Sequence, residues 1–133
     1  MNFTVYGVAR PKGSSRAFMP KGARFPVVTS DNAGLKGWEN LVRYAAQQAA
    51  GSTIEGPVRV HLAFALPRPQ SLSKRVVHHL KKPDLDKLTR AVIDALTGIA
   101  FKDDSQVTAI RAVKCYQSSS EAPQCYVCVE ANP

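Results

Sequence analysis

Apolar residues recur along this chain with two different periods, and the change of period predicts its elements. Residues 57–66 alternate with a period of two, which is typical of a strand with one buried face. Residues 2–9, 107–116 and 124–131 also read as strands. Residues 25–29 favour a short strand that we expect to pair back on the first.

Two other segments repeat their apolar residues at helical spacing. The first runs to about Ala50 and is predicted to be capped by Ser30 or Asp31. Its apolar stripe consists of Leu35, Trp38, Leu41, Val42, Ala45 and Ala49. The second helix opens at Asp84, and its stripe consists of Leu85, Leu88, Val92, Ala95, Leu96 and Ile99. Because Trp38 lies on an apolar stripe, we expect it in the core.

The predicted order of elements is strand, strand, helix, strand, helix, strand, strand. We expect one domain over residues 1–133, of the α/β or α+β class, with a mixed sheet of about four or five strands and two main helices. The last two strands are expected to form a terminal hairpin. Residues 67–83 are rich in proline and cations. We interpret them as a basic loop rather than a linker, because neither flank is large enough for its own core.

The chain has three cysteines, and this odd number argues against a disulfide framework. Cys125 and Cys128 have the C-x-x-C spacing of zinc ligands. However, residues three apart on a strand face opposite sides, so this pair is not expected to share a metal. We predict reduced, partly buried thiols.

The net charge of +8 and the pI of about 9.7 favour a polyanionic partner such as nucleic acid. No apolar run approaches the roughly 20 residues that span a bilayer, and the first residues lack the layout of a signal peptide. We therefore expect an intracellular, cytoplasmic protein with no membrane partner. Its origin, cellular or phage- or prophage-encoded, is left open.

Five of the ten acidic residues fall between residues 83 and 104 of this basic chain. Clustered carboxylates resist joint ionisation, and a divalent cation relieves that repulsion. Mg²⁺ is held by one or two carboxylates together with water and phosphate oxygens. A metal-ready acidic centre on a basic protein suits phosphodiester chemistry.

The same acids also have a structural interpretation. Asp84 is a good N-cap, worth about 1 kcal/mol, and Asp86 can pair with Arg90 at i,i+4 for roughly 0.2–0.5 kcal/mol. Asp103 and Asp104 suit a turn. Against this interpretation, a cap requires one acid, whereas acids stand at both ends of the predicted helix among many cations.

Three short motifs follow one another in this region. They are Asp84-Leu85-Asp86-Lys87-Leu88, Asp94-Ala95-Leu96 and Phe101-Lys102-Asp103-Asp104-Ser105-Gln106-Val107. In order and nearly in spacing, they resemble the D-L-D-N-L, D-A-L and D-D-x-Q-V motifs of the RusA family of Holliday-junction resolvases. The resemblance is strong over residues 83–114, about a quarter of the chain. It implies a RusA-like fold and a Mg²⁺-dependent homodimeric endodeoxyribonuclease, active in recombination and repair, that nicks two opposed strands of a four-way junction.

By that resemblance, the metal ligands fall on Asp84, Asp86 and Asp104. The stretch from Asp94 to the acidic turn is one residue shorter than in the family pattern, which leaves Asp103 as an alternative third ligand. Mg²⁺ is the implied metal, and Mn²⁺ accepts the same oxygen ligands.

The family's catalytic lysine falls on Arg90, which keeps the positive charge but cannot give up a proton. Lys87 replaces the family's asparagine and offers a second cation near the site. Both residues are therefore candidates for stabilising charge on the phosphate.

Two basic segments are expected to contact DNA phosphates without reading sequence. The first comprises Lys12, Ser14, Ser15, Arg16, Lys21 and Arg24. The second comprises Lys74, Arg75, Lys81 and Lys82. His78 and His79 lie in the second segment, and we expect them to be solvated rather than catalytic.

Two other interpretations stay open. In the first, the protein is a non-catalytic dimer that binds DNA junctions, and its acids are caps and turns. The replacement of the family lysine by Arg90 is the best support for it. In the second, the protein is a metal-dependent enzyme acting on nucleotides or another phosphate ester.

Overall fold

The computed structural model describes residues 1–13, 15–18, 21, 22, 24, 27–30 and 34–133. The strands are β1 (Asn2–Tyr6), β2 (Ser15–Phe18), β3 (Val27–Ser30), β4 (Val58–Leu66), β5 (Val107–Tyr116) and β6 (Gln124–Ala131). The helices are α1 (Leu35–Ala49) and α2 (Leu85–Leu96), and a 3₁₀ turn spans Asp104–Gln106. Over the described part of the chain, neither helix has the length and apolar character needed to cross a bilayer.

The main sheet has four strands in the order β1-β6-β4-β5, and both helices share a core with it. β4 and β5 are parallel, whereas the β1–β6 and β6–β4 pairs are antiparallel. This mixed sheet with two helices is a small α+β domain, which confirms the predicted class.

The predicted terminal hairpin is wrong, because β5 and β6 lie on opposite edges of β4. The chain leaves β4, passes through α2 and returns as β5, and such a crossover makes a parallel pair. β6 then takes the remaining edge of β4, with Val60 opposite Val129. The alternation of apolar residues therefore identified these strands correctly, but it did not show which strands are neighbours in the sheet.

The predicted pairing of the strand at residues 25–29 with the first strand is also wrong. β3 pairs with β2, which lies inside the first basic segment. β1 instead pairs with β6, and it ends at Tyr6 because Gly7 bends the chain with a φ of 148°. The strand predicted over residues 2–9 is thus shorter than expected, and the one predicted over 25–29 overlaps β3 in part.

Helix α1 begins later than predicted. Ser30 belongs to β3, and Asp31 lies outside the described residues, so neither is the observed cap. The cap position is held by Gly34 with a φ of 80°. A Cβ at this position would approach Arg10 Nε to 3.2 Å, so glycine fits both the left-handed backbone and the close side chain.

One face of the sheet packs against the helices and forms the core. From β4 the buried residues are Val58, Val60, Leu62, Phe64 and Leu66. From the helices they include Trp38, Val42, Leu88, Val92 and Leu96, which confirms the core position of Trp38. Each large apolar side chain removed from water in this way stabilises the fold by about 1.5–3 kcal/mol. The core therefore fixes α2 firmly against the sheet.

The two cysteines of the C-x-x-C spacing face opposite sides of β6, as predicted. Cys125 is fully buried on the core face, whereas Cys128 is partly exposed on the other. Burial raises the pKa of the Cys125 thiol to about 12. All three cysteines are reduced.

Candidate metal centre and nucleic-acid interface

The start of α2 places Asp84 at the cap position without using its carboxylate as a cap. Its backbone carbonyl accepts from the Leu88 N–H at 3.1 Å, but its side chain makes no capping hydrogen bond. Lys87 Nζ is 3.8 Å from the Asp84 carboxylate. The structural interpretation of Asp84 as a side-chain cap is therefore wrong.

A lysine from the sheet holds the chain where it enters α2. Lys114 Nζ, on β5, donates to the carbonyl oxygens of Lys81 at 2.7 Å and Pro83 at 2.9 Å. These two bonds fix the backbone immediately before Asp84. The position of the first turn of α2 is thus set by β5 as well as by the core.

The turn at the other end of the region is organised by Asp103. Its carboxylate accepts from the Ser105 N–H at 2.9 Å and completes a capping box with Gln106. The Ser105 amide is the main reason that the pKa of Asp103 lies below its usual value. Asp103 therefore has a structural role, and Asp104 is left as the better candidate ligand.

Gln106 ties this turn to the chain that precedes β4. Its Oε1 accepts from the N–H groups of Lys102 and Asp103, each at 3.0 Å. Its Nε2 donates to the carbonyl oxygens of Ile54 and Gly56, also at 3.0 Å. The side chain consequently fixes the position from which Asp104 projects.

One face of α2, the acidic turn and β5 line an open cavity of about 720 Å³ that we term the acidic cavity. Its polar lining residues are Asp86, Thr89, Arg90, Asp94 and Asp104, and its apolar ones are Leu85, Ile93, Ile110 and Ala112. Three carboxylates, one guanidinium and an apolar wall thus share a single space.

Of the three carboxylates in the acidic cavity, Asp94 is neutralised from outside it. Lys12 Nζ lies 3.2 Å from Asp94 and 3.9 Å from Glu39 of α1. Within the described residues, Asp86 and Asp104 form no ion pair, and the predicted Asp86–Arg90 pair does not occur. Among the described residues, two carboxylates of this cavity are therefore without a cationic partner.

A second cavity, of about 520 Å³, lies on the neighbouring face of the same helix start. We term it the basic cavity. Its polar and charged lining residues are Arg10, His79, Lys82, Asp84 and Lys87. Its remaining lining residues are Val8, Ala9, Pro11, Gly13, Leu66, Pro67 and Pro83. Asp84 and Lys87 thus face a different space from Asp86, Arg90 and Asp104.

The described residues contain no group of three His, Cys, Asp or Glu side chains close enough to hold a metal ion together. Asp86 and Asp104 nevertheless fit Mg²⁺, which is bound through one or two carboxylates and completes its shell with water and substrate phosphate. Asp84, two residues before Asp86, lines the neighbouring cavity.

The predicted DNA-contact residues fall into three groups. Lys21, Arg24, Lys74, Arg75, Lys81 and Lys82 are exposed. Lys12 is engaged with Asp94 and Glu39, which weakens its case as a phosphate contact. Ser15 and Arg16 lie on β2, and Ser14 lies outside the described residues.

The expectation of two solvated histidines holds for His78 but is wrong for His79. The His79 ring is 8% exposed and packs 4.6 Å from the Tyr116 ring. Burial, followed by the nearby Lys114 charge, lowers its pKa. Its Nδ1 has no hydrogen-bond partner among the described residues.

Sequence reasoning missed four residues that shape these sites. Arg10 and His79 line the basic cavity, and Lys114 and Gln106 fix the backbone beside the acids. Gln106 had a signal, since it belongs to the acidic-turn motif. The other three act through contacts between segments distant in sequence, which no local pattern reveals.

The protein is a small α+β domain. Its second helix and the acidic turn place carboxylates and an arginine around one cavity, and exposed cations lie elsewhere on the surface. This combination suits phosphodiester chemistry. Comparison with known families makes this specific. Residues 9–130 match the family described as Endodeoxyribonuclease RusA, and the chain belongs to that family. It is also similar to "Uncharacterized protein YqaN" of Bacillus subtilis (strain 168), with 32% identity over 140 residues, covering 97% of this chain and 94% of that protein. Family membership supports a nuclease activity.

Proposed function

We propose that this protein is a Mg²⁺-dependent endodeoxyribonuclease that resolves Holliday junctions by paired, symmetric nicks. The observation that carries the proposal is the shared acidic cavity of Asp86, Asp104 and Arg90. Two carboxylates without an ion pair in the described residues, beside a guanidinium, suit a cation and a phosphate together. Family membership supplies the nucleic-acid substrate class.

In this proposal Asp86 and Asp104 hold the metal. Asp84 lines the neighbouring cavity and would join them only after its side chain turned toward the acidic cavity. Bound Mg²⁺ would supply an activated water and charge stabilisation at the phosphorus. Mn²⁺ would serve as well, because it accepts the same oxygen ligands. The Asp84 carboxylate makes no capping hydrogen bond to the helix backbone, which supports Asp84 as a candidate metal ligand.

Arg90 is the better of the two candidate cations for stabilising the phosphate. It lines the same cavity as Asp86 and Asp104, whereas Lys87 lines the other cavity and lies beside Asp84. A guanidinium binds phosphate oxygens in a bidentate manner but stays protonated, so Arg90 would not transfer a proton.

We further propose that the protein acts as a homodimer. Symmetric cuts in two strands of a two-fold junction are made most simply by a two-fold protein. The exposed cations Lys21, Arg24, Lys74, Arg75 and Lys81 are the proposed phosphate contacts. Such contacts release counterions, so affinity for the junction should fall steeply with salt.

The test is a gel assay of a labelled mobile four-way junction, with Mg²⁺ or with EDTA, for wild type and Asp86→Asn. We expect paired nicks from the wild type with metal and none from the variant. Glu121→Gln is the matched control, because Glu121 is an exposed acid in the loop before β6. It should cut like wild type.

Two outcomes would contradict the proposal. Binding without products, with or without metal, would identify a non-catalytic junction-binding protein in which Arg90 has replaced the family lysine. Cutting that is unchanged in Asp86→Asn would instead exclude the acidic cavity as the metal centre.

A further inference from the structure

The basic cavity combines three cations with an apolar lining in one concave space. Arg10, Lys82 and Lys87 line its polar side together with the Asp84 carboxylate, which lies 3.8 Å from Lys87 Nζ. Leu66 and Ala9, which are nearly fully buried, contribute to its apolar lining. A phosphate alone needs charge but neither depth nor an apolar floor, so this lining suits a larger ligand that is part anionic and part apolar.

The volume and the lining match one nucleotide unit. About 520 Å³ lies within the range of small-ligand sites. His79 lines the cavity, but its ring is almost buried against Tyr116 and is not free to stack. Pro67 and Pro83 offer rigid apolar surfaces. Bases extruded from a DNA stack are held between such side chains, while cations hold the backbone phosphate.

The position of the cavity links it to the proposed chemistry. Asp84 lines the basic cavity, and Asp86, two residues further along the chain, lines the acidic cavity. The two cavities are therefore neighbours at the start of α2. Extruding a base costs least where it is already unstacked or unpaired, so a branch point that opens when the protein binds would lower this cost.

We propose that the basic cavity receives an unstacked nucleotide of the branched DNA, with its phosphate on Arg10 and Lys82 and its base against Pro67 and Pro83. This inference rests on the proposed function for its substrate, but it concerns recognition rather than cleavage. It adds a subsite that selects branched over continuous duplex DNA.

The test uses four-way junctions that carry 2-aminopurine at successive positions around the branch point, with Ca²⁺ in place of Mg²⁺. The fluorescence of this base rises when it leaves the stack. Val8→Trp fills the cavity without changing its charge, because Val8 is a partly exposed lining residue. Arg111→Ala, on the sheet face away from the helices, is the control for charge loss.

We expect wild type and Arg111→Ala to raise the fluorescence at one position near the branch point. Val8→Trp should abolish that rise and weaken junction binding about tenfold, with duplex binding unchanged. Circular dichroism would verify that the variant is folded.

Two results would overturn the inference. The first is no fluorescence rise in the wild type at any position. The second is a Val8→Trp variant that behaves as wild type while Arg10→Ala with Lys82→Ala loses affinity, since this marks a plain phosphate contact. Asp86→Asn separates the two proposals, because it should stop cleavage and keep the fluorescence rise. A rise that depends on Val8 in a protein that never cuts would retain the subsite and reject the nuclease.

Discussion

The start of α2 and the turn before β5 each present two aspartates, yet the two regions use them differently. At the turn, Asp103 accepts the Ser105 N–H and takes part in a capping box. At the helix start, Asp84 stands in the cap position and makes no such bond. The helix thereby forgoes a contribution of about 1 kcal/mol. Asp84 pairs with Lys87 at 3.8 Å but makes no hydrogen bond to the helix backbone, so its carboxylate is less committed than that of Asp103 and is the stronger candidate for a ligand.

The two regions are alike in how their backbones are held. Gln106 binds the chain around the turn, and Lys114 binds the chain before α2. In each case a residue outside the proposed metal set makes hydrogen bonds to the backbone. The backbone next to the proposed ligands Asp84, Asp86 and Asp104 is therefore fixed by side chains other than their own.

The largest predicted effect separates the two neighbours at the turn. Asp104→Asn should reduce junction cleavage at least about 100-fold, because it removes a proposed metal ligand and leaves the capping box intact. Asp103→Asn should stay within a few-fold of wild type, since asparagine also caps. Single-turnover cleavage with Mg²⁺ measures both. The reverse ranking would make Asp103 the ligand and break the comparison.

Gln106→Ala tests the anchor of the turn. Loss of bonds to two amides and two carbonyls should lower the free energy of unfolding by about 1–2 kcal/mol, because these groups are partly exposed and water replaces some of the bonds. Urea unfolding measures it. Gln106→Glu keeps the acceptor oxygen and loses the donor, so it should fall between alanine and wild type. Equal stability of all three proteins would show that the turn needs no anchor.

Lys114→Met tests the anchor of the helix start. Methionine keeps the length and the apolar stem but cannot donate to the carbonyls of Lys81 and Pro83. We expect a loss of about 1 kcal/mol in unfolding free energy, and a severalfold loss of cleavage because Asp84 is less well placed. Lys36→Met, an exposed lysine of α1, is the matched control. A loss of the same size in both would mean that charge alone matters.

The sequence predicted three strands of the main sheet and α2 well, because their burial is periodic, whereas β1 is shorter than predicted and α1 begins later. β5 and β6 have the bounds that were expected, and β4 differs by one residue. Strand neighbours were not predictable in the same way. The apolar alternation of β6 shows that it has a buried face, but not that it inserts between β1 and β4.

Local motifs likewise predicted the candidate acids but not how they are divided. Asp84 and Asp86 are two residues apart on one helix turn, and they line different cavities. The distinction between Asp103 and Asp104 depends on which one bonds to the backbone. Lys12, a predicted DNA contact, lies 3.2 Å from Asp94, and this contact between distant segments was not predicted.

The smallest predicted effect concerns acid stability and again sharpens the contrast at the turn. The Ser105 amide lowers the pKa of Asp103 in the folded protein below its usual value of 3.8. The folded state therefore binds this proton less readily than the unfolded state. The resulting contribution is fully present above the unfolded pKa and is lost as the pH falls through the folded pKa. Because Asp103 is exposed, the effect is expected to be small.

Asp103→Asn isolates that contribution, because asparagine keeps the cap and removes the titrating group. At neutral pH the variant should be nearly as stable as the wild type. On acidification from about pH 6 to about pH 2, its unfolding free energy should fall less steeply. Urea unfolding at several pH values measures the slope, with Glu121→Gln as the control for loss of an exposed acid. An unchanged slope would mean that Asp103 caps the turn equally well with and without its charge, and that hydrogen-bond geometry alone distinguishes it from Asp104.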